Sequence, residues 1–172
     1  MAVTDLTIPQ LAAFIANYRK AGMTTGGKYT LAELLLEERQ RSPSAFPPVE
    51  VAHRILAGAK ASDDGRVTYL EIWQAFRPGE DWKGNASVKI VGGSLGRVVE
   101  YCIRNGLPIF SVLVVPTGTR KLTDQALQNI YNECRELGVD TGIDAEAFIR
   151  REEARALAFV AQDLPCDELT PQ

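Results

Sequence analysis

Residues 66–115 read RVTYLEIWQAFRPGEDWKGNASVKIVGGSLGRVVEYCIRNGLPIFSVLVV, and this stretch decides the fold of the chain. Its first part predicts a short helix over 69–76. Thr68 is a good N-cap residue, and Glu71 follows three positions later, which is the spacing of a capping box. Pro78, followed by glycine, ends this helix because proline cannot continue a helical hydrogen-bond ladder.

The second part of the stretch predicts a longer helix over 87–105 and then a strand over 109–115. Apolar residues recur at helical spacing along the first of these segments. The second segment is rich in branched and aromatic residues and almost continuously apolar, as in a strand buried on both faces. A helix pair closed by a strand has the shape of a winged helix-turn-helix, so the first functional question is whether the protein binds nucleic acid.

The rest of the chain is predicted to be mainly helical. Helical spacing and capping residues predict further helices over 9–21, 30–41, 49–60, 123–137 and 144–162. The expected fold class is therefore α+β, mainly helical, with a winged helix-turn-helix-like core and extra helices at both ends. The expected units are an N-terminal helical extension (1–47), the core (48–122) and C-terminal helices with an acidic tail (123–172).

The composition is that of an ordinary water-soluble protein. Apolar residues make up 45% of the 172 residues and charged residues 24%. No apolar run approaches the roughly 18 residues that a membrane span requires, and the amino terminus does not resemble a secretion signal. Three cysteines (Cys102, Cys134 and Cys166) lie far apart in the sequence, which predicts free thiols in a reducing cytoplasm.

Positive charge is concentrated on the predicted second helix and its flanks. Although the net charge is −3, the segment 83–121 has one acidic residue, Glu100, and six basic ones: Lys83, Lys89, Arg97, Arg104, Arg120 and Lys121. This distribution favours contact with a polyanion. A solvated helix face would have the same pattern, so charge alone leaves both interpretations open.

Three short segments resemble the DNA-binding domain of the O6-alkylguanine-DNA alkyltransferases and the alkyltransferase-like proteins. They are Thr68–Ile72, Lys89–Gly93 and Phe110–Val115. In that family the reactive cysteine stands in Pro-Cys-His-Arg-Val-Val, and here Ser111 takes its place at the mouth of the alkyl pocket. A serine without an adjacent base is not an activated nucleophile, so we expect no alkyl transfer and no enzymatic activity. A serine bonded to a neighbouring carbonyl is the alternative for this residue.

The resemblance and the charge pattern together predict four residues that contact DNA. Lys89 matches the family's intercalating arginine, where lysine is better suited to a phosphate contact, and Tyr69 matches the tyrosine that helps to turn the DNA backbone. Arg97 and Arg104 lie two turns apart on one helix face and could both reach phosphates. Tyr69 could instead pack on the core, and either arginine could be a solvated surface residue or could pair with Glu100.

The segment AKASDDGRVTYLEIWQAF also resembles the loop and exit helix of an EF-hand. With Lys60 at the first loop position, positions three, five, six, eight and twelve are Ser62, Asp64, Gly65, Val67 and Glu71. An earlier copy of the pattern places Gly27 and Glu33 in equivalent positions. A lysine at the first ligand position repels calcium, so we expect a structural helix-loop-helix pair, or simply a capped helix after a turn, and no metal site.

The sequence thus leaves three hypotheses for function. The first is non-catalytic binding of double-stranded DNA through the winged-helix core. The second is binding of a protein partner, as by an accessory or inhibitory protein of a phage or mobile element. The third is a degenerate EF-hand-like helical scaffold. None of the three requires a cofactor or a membrane.

Overall fold

The computed structural model describes residues 1–159 and 164–165, and most of these residues are helical. The described helices are α1 (Ile8–Ala21), α2 (Leu31–Arg41), α3 (Pro48–Ala61), α4 (Tyr69–Phe76), α5 (Asn85–Arg104), α6 (Asp124–Glu136) and α7 (Ala145–Ala158). They confirm the mainly helical α+β class. The end of the predicted last helix, Cys166 and most of the acidic tail lie outside the described residues.

Local capping chemistry sets the helix starts, as the sequence predicts. At α4 the Thr68 hydroxyl accepts from the Glu71 amide (3.2 Å), and the Glu71 carboxylate accepts from the Thr68 amide (2.6 Å). Thr30 and Glu33 form the same capping box at α2. Both boxes satisfy amides that the first helical turn would otherwise leave unpaired.

The predicted strand over 109–115 is wrong for most of its length. Phe110–Leu113 forms a 3-10 turn, and only Val114–Val115 (β2) pairs in parallel with Val67–Thr68 (β1). The predicted burial is correct, since the whole segment 109–115 is buried. A partner strand of two residues offers too short a ladder to hold seven residues extended.

Side chains therefore satisfy the backbone groups of this segment that β1 cannot reach. The Ile109 amide donates to Glu152 Oε2 (3.2 Å), and Arg66 Nη1 donates to the Val112 carbonyl (3.2 Å). A buried amide or carbonyl without a partner would cost about 1–3 kcal/mol. The two charged side chains thus compensate for the missing strand partner.

The order of elements from α3 to β2 matches the predicted core, but the described residues contain no wing hairpin. Their sheet consists of β1 and β2 alone. A turn over 116–123 leads from β2 directly to α6. The helix pair of the predicted core is therefore present, without the antiparallel strands that define a wing.

The apolar residues form two clusters. The larger contains residues of α3 to α7 and the segment 109–115, so the C-terminal helices share a core with the middle of the chain. The smaller consists of the following residues before position 36: Leu6, Leu11, Ile15, Tyr18, Tyr29, Leu31, Leu34 and Leu35. We call residues 1–41, with this cluster, the N-terminal unit.

The longest helix, α5, has its inner face in the larger core. Val91, Leu95 and Val98 are buried there, whereas Val88, which follows the same helical spacing of apolar residues, is 42% exposed. Among the described helices, none combines the length and the apolar character needed to cross a membrane.

Candidate nucleic-acid interface

The N-terminal half of α5 presents a bare face to solvent. Lys89 is exposed, and Gly92, Gly93 and Gly96 follow it at spacings of three, four and seven residues, which places all four on one side of the helix. A Cβ added at Gly92 or Gly93 would meet no described atom within 4 Å. At Gly96 it would contact Glu133 of α6 at 3.8 Å, so the close approach is left unused by a neighbouring helix only at Gly92 and Gly93.

The start of α5 adds positive potential to this face. Its N-cap is Gly84, which has no side chain to accept from the first-turn amides, and the first turn contains no acidic residue. The Ala86 amide donates to the Lys83 carbonyl (3.3 Å), and the amides that remain unpaired give a helix N-terminus a partial positive charge. Lys83, just before the helix, is also exposed. This end of α5 is suited to an anionic partner.

The two arginines further along α5 have partners within the protein. Arg97 is half-buried and donates to the Ser42 carbonyl, and burial together with the nearby Arg39 lowers the pKa of Arg97. Arg104 pairs with Glu100 (Nε to Oε1, 3.8 Å), which confirms that alternative for Arg104. Arg39 approaches the same Glu100 carboxylate at 3.3 Å.

The N-terminal unit is fastened over the second half of α5 by ion pairs. Arg39 of α2 pairs with Glu133 of α6 in addition to Glu100. Arg19 of α1 donates to both carboxylate oxygens of Glu136, at 3.1 and 2.8 Å. The sequence analysis missed these residues, because no local pattern relates side chains that are about a hundred positions apart.

A cleft of about 400 Å³ opens beside α5. Gly92 and Gly96 line it on the α5 side, together with Tyr69 and Ser111. Tyr69 is partly buried against the main core, and burial raises the pKa of its hydroxyl. The structure thus brings Tyr69 and Ser111 to one cleft, next to the bare face of α5.

The far wall of the cleft comes from α6 and from the N-terminal unit. It is mixed in character: the polar residues are Arg19, Asn129, Asn132, Glu133 and Glu136, and the apolar ones are Ala126 and Ile130. Both carboxylates of this wall are already paired with arginines. The wall therefore offers amide groups and compensated charges to a ligand, with little excess charge of either sign.

The nucleophilic side chains near the cleft are unreactive. Ser111 is buried and donates to the Leu95 carbonyl at 3.1 Å, which confirms the alternative that it bonds a neighbouring carbonyl. The thiols of Cys102 and Cys134 are buried, and burial raises the pKa of each to about 12. Both thiols therefore stay protonated at neutral pH and are poor nucleophiles.

Of the loop with EF-hand-like spacing (60–71), only Tyr69 lines this cleft, and several of the loop's polar residues line a separate pocket. Arg120, from the turn after β2, donates to both oxygens of Asp64 at 2.8 Å. In the part of the chain that the structure describes, no three His, Cys, Asp or Glu side chains are grouped so that they could hold a metal ion. Glu33, in the earlier copy of the pattern, serves the capping box of α2.

Comparison with known proteins gives no relative. No family model matches the chain, and no curated protein or solved structure matches it significantly.

Proposed function

We propose that this protein binds double-stranded DNA without catalysis, and that it does so through the helix pair α4–α5. The observation that carries the proposal is the bare face of α5, on which exposed Lys89 is followed by Gly92 and Gly93 with open space above them. Glycine lets a partner's backbone approach a helix more closely than any other residue. A lysine beside such a surface provides a positive charge for a phosphate.

The uncapped start of α5 supports the same assignment. Backbone amides at a helix N-terminus bind phosphate oxygens, and the helix dipole adds to their attraction. Lys83 and Lys89 lie before and within the first turns of this helix. In the proposed complex these groups fix the register of α5 on the DNA backbone.

Tyr69 has a supporting role in the proposed complex, and the buried Ser111 helps only to shape the cleft. They line the cleft that adjoins Gly92, where a base edge or sugar at the helix face would meet an aromatic ring and a partly polar wall. Arg97 and Arg104 are secondary contacts, because each must leave a partner in the protein to reach a phosphate. The main contacts are therefore confined to the first half of α5.

Salt dependence tests this proposal. Fluorescence anisotropy of a labelled duplex of about two helical turns is measured between 50 and 200 mM salt, roughly the range over which phosphate contacts are screened. The logarithm of the binding constant should fall linearly with the logarithm of salt concentration, by about 0.9 per phosphate contacted. No binding at the lowest salt concentration would reject the proposal.

Binding of a protein partner is the second candidate. It is favoured by large apolar side chains that the fold leaves exposed, among them Ile8, Ile143 and Leu157. Such a partner would bind with a fixed stoichiometry, and the complex would persist at salt concentrations that abolish DNA binding. Replacing Ile143 by Glu should weaken that complex and leave DNA binding unchanged.

The cytoplasm is the compartment that best fits either candidate. Cys102 and Cys134 are both free thiols in the structure, as expected in a reducing environment.

A further inference from the structure

The loop over residues 60–71 shares local backbone features with a calcium-binding loop. Gly65, at the sixth position, has φ of 67°, which allows the sharp turn that such a loop requires. Val67, at the eighth position, forms the short β-pair with Val114. Thr68 and Glu71, at the ninth and twelfth positions, form the capping box of the exit helix α4. The resemblance seen in the sequence therefore extends to the fold of the loop.

The loop binds a cation that belongs to the protein itself, at a site open to solvent, since the Arg120 and Asp64 side chains are 38% and 41% exposed. The guanidinium of Arg120 donates to Ser62 Oγ at 3.0 Å, to the two Asp64 carboxylate oxygens at 2.8 Å each, and to the Arg66 carbonyl at 3.3 Å. These oxygens come from the third, fifth and seventh positions of the loop. Calcium loops of this type use the same three positions, the seventh through its backbone carbonyl.

We propose that the Arg120 guanidinium is the resident cation of the 60–71 loop, where it takes the place of calcium and fastens the turn after β2 onto the loop between α3 and α4. Arg120 and Asp64 are separated by 56 residues, so their contact joins two distant segments at the β1–β2 pair. The planar guanidinium binds both carboxylate oxygens in parallel, a geometry that lysine could not reproduce. The role proposed for Arg120 does not depend on DNA binding.

The charges around the loop agree with a monovalent organic cation. Lys60 stands at the first position, where a calcium loop has aspartate, so the loop has one carboxylate fewer for a divalent ion. The hydrogen bond to Asp64 raises the pKa of Arg120, and the charges of Asp64 and Glu71 raise it further. The Arg66 guanidinium does not compete for these carboxylates, because it pairs with Glu153.

The backbone of Arg120 supports the same role. Among the described residues it is the one non-glycine residue with a positive φ, at 50°. L-residues avoid this region unless the surroundings hold them there. The four hydrogen bonds of the guanidinium provide such a restraint.

The experiment is to exchange the built-in cation for calcium. In the variant Lys60→Asp/Arg120→Ala, the guanidinium is removed and a carboxylate is supplied at the first loop position. The control, Lys60→Asp/Lys121→Ala, loses the neighbouring exposed lysine and keeps Arg120. Equilibrium dialysis with radioactive calcium measures binding to each full-length protein.

The wild type and the control should bind no calcium below millimolar concentrations. The double variant without Arg120 should bind one ion with a dissociation constant between about 0.1 and 1 mM, the range of weak calcium loops. Adding Asp64→Asn to that variant should abolish the binding. The proposal is overturned if the variant without Arg120 binds no more calcium than the control.

Thermal unfolding of the same proteins distinguishes a variant that folds poorly from one that folds but does not bind calcium. Calcium in excess should raise the melting temperature of the variant without Arg120, or restore its folding, because the ion binds only the folded loop. The control should not respond. A variant that remains unfolded, or melts at the same temperature, with and without calcium would also overturn the proposal.

Discussion

At the scale of single residues, Glu152 shows how a charged side chain can accept the hydrogen bond of a backbone amide that lacks a strand partner. Its side chain is only 3% exposed, and it accepts from the Ile109 amide and from Arg155 at 2.7 and 2.9 Å. The adjacent pair Glu152-Glu153 looks like a solvated pair in the sequence. Its burial could not be foreseen, because it depends on a backbone amide 43 residues away that β1 fails to pair.

Replacing Glu152 by Ala should lower the free energy of unfolding by about 1–3 kcal/mol, because the buried Ile109 amide loses its acceptor. Glu152→Gln retains a carbonyl acceptor and should cost less. Urea unfolding followed by circular dichroism measures both changes. The control is Glu146→Ala on the same helix, at an exposed position. If Glu146→Ala and Glu152→Ala lowered the free energy of unfolding equally, the structural role of Glu152 would be contradicted.

Asp64 should make the stability of the protein depend on pH in the acid range. Hydrogen bonds from Arg120, and then from the Ser62 hydroxyl, hold the pKa of the Asp64 carboxyl well below its usual value. Because the pKa is lower in the folded state, the contribution to stability is complete above the unfolded pKa of about 3.9 and is lost as the pH falls through the folded value.

The measurement compares the wild type with Asp64→Asn by urea unfolding at a series of pH values. The difference in the free energy of unfolding should be constant from pH 7 to about pH 5 and should shrink below about pH 4. A difference that does not change on acidification would show that the carboxylate form of Asp64 is not favoured in the folded protein.

At the scale of elements, local chemistry made the helices predictable. The capping box at α4 depends on residues three positions apart, so the sequence alone locates the start of the helix. The segment 109–115 shows the opposite case. Its apolar character predicts burial correctly, but a strand requires a partner of matching length, and the partner is set by the packing of distant helices. Phe110–Leu113 therefore folds as a 3-10 turn.

Removing the cap of α4 tests this local account. Thr68→Ala should lower the free energy of unfolding by about 1 kcal/mol, because the Glu71 amide loses its acceptor and the Glu71 carboxylate loses one donor. Thr68→Ser keeps the hydroxyl and should retain most of the stability. Chemical denaturation measures the free energy of unfolding of both variants. A Thr68→Ala variant as stable as the wild type would show that the capping box of α4 does not contribute to stability.

At the scale of the whole molecule, the N-terminal unit determines which part of α5 a partner can reach. The sequence singled out α5 as the DNA-contacting helix, which stays a prediction, and the structure brings Tyr69 and Ser111 to the cleft beside it. It also shows that α2 engages the second half of the helix, where Arg97 bonds the Ser42 carbonyl. That coverage could not be predicted, since it rests on ion pairs between elements far apart in the chain. The exposed first half of α5 is therefore the part that we propose contacts DNA.

The most direct test of this account compares two charge reversals in the DNA-binding assay. Lys89→Glu alters the bare face of α5, whereas Lys28→Glu makes the same change at an exposed site in the N-terminal unit. At low salt, Lys89→Glu should weaken duplex binding at least about tenfold and lower the salt slope by about one, while Lys28→Glu should match the wild type. Equal binding by the two variants would contradict the assignment of α5 as the DNA-binding element.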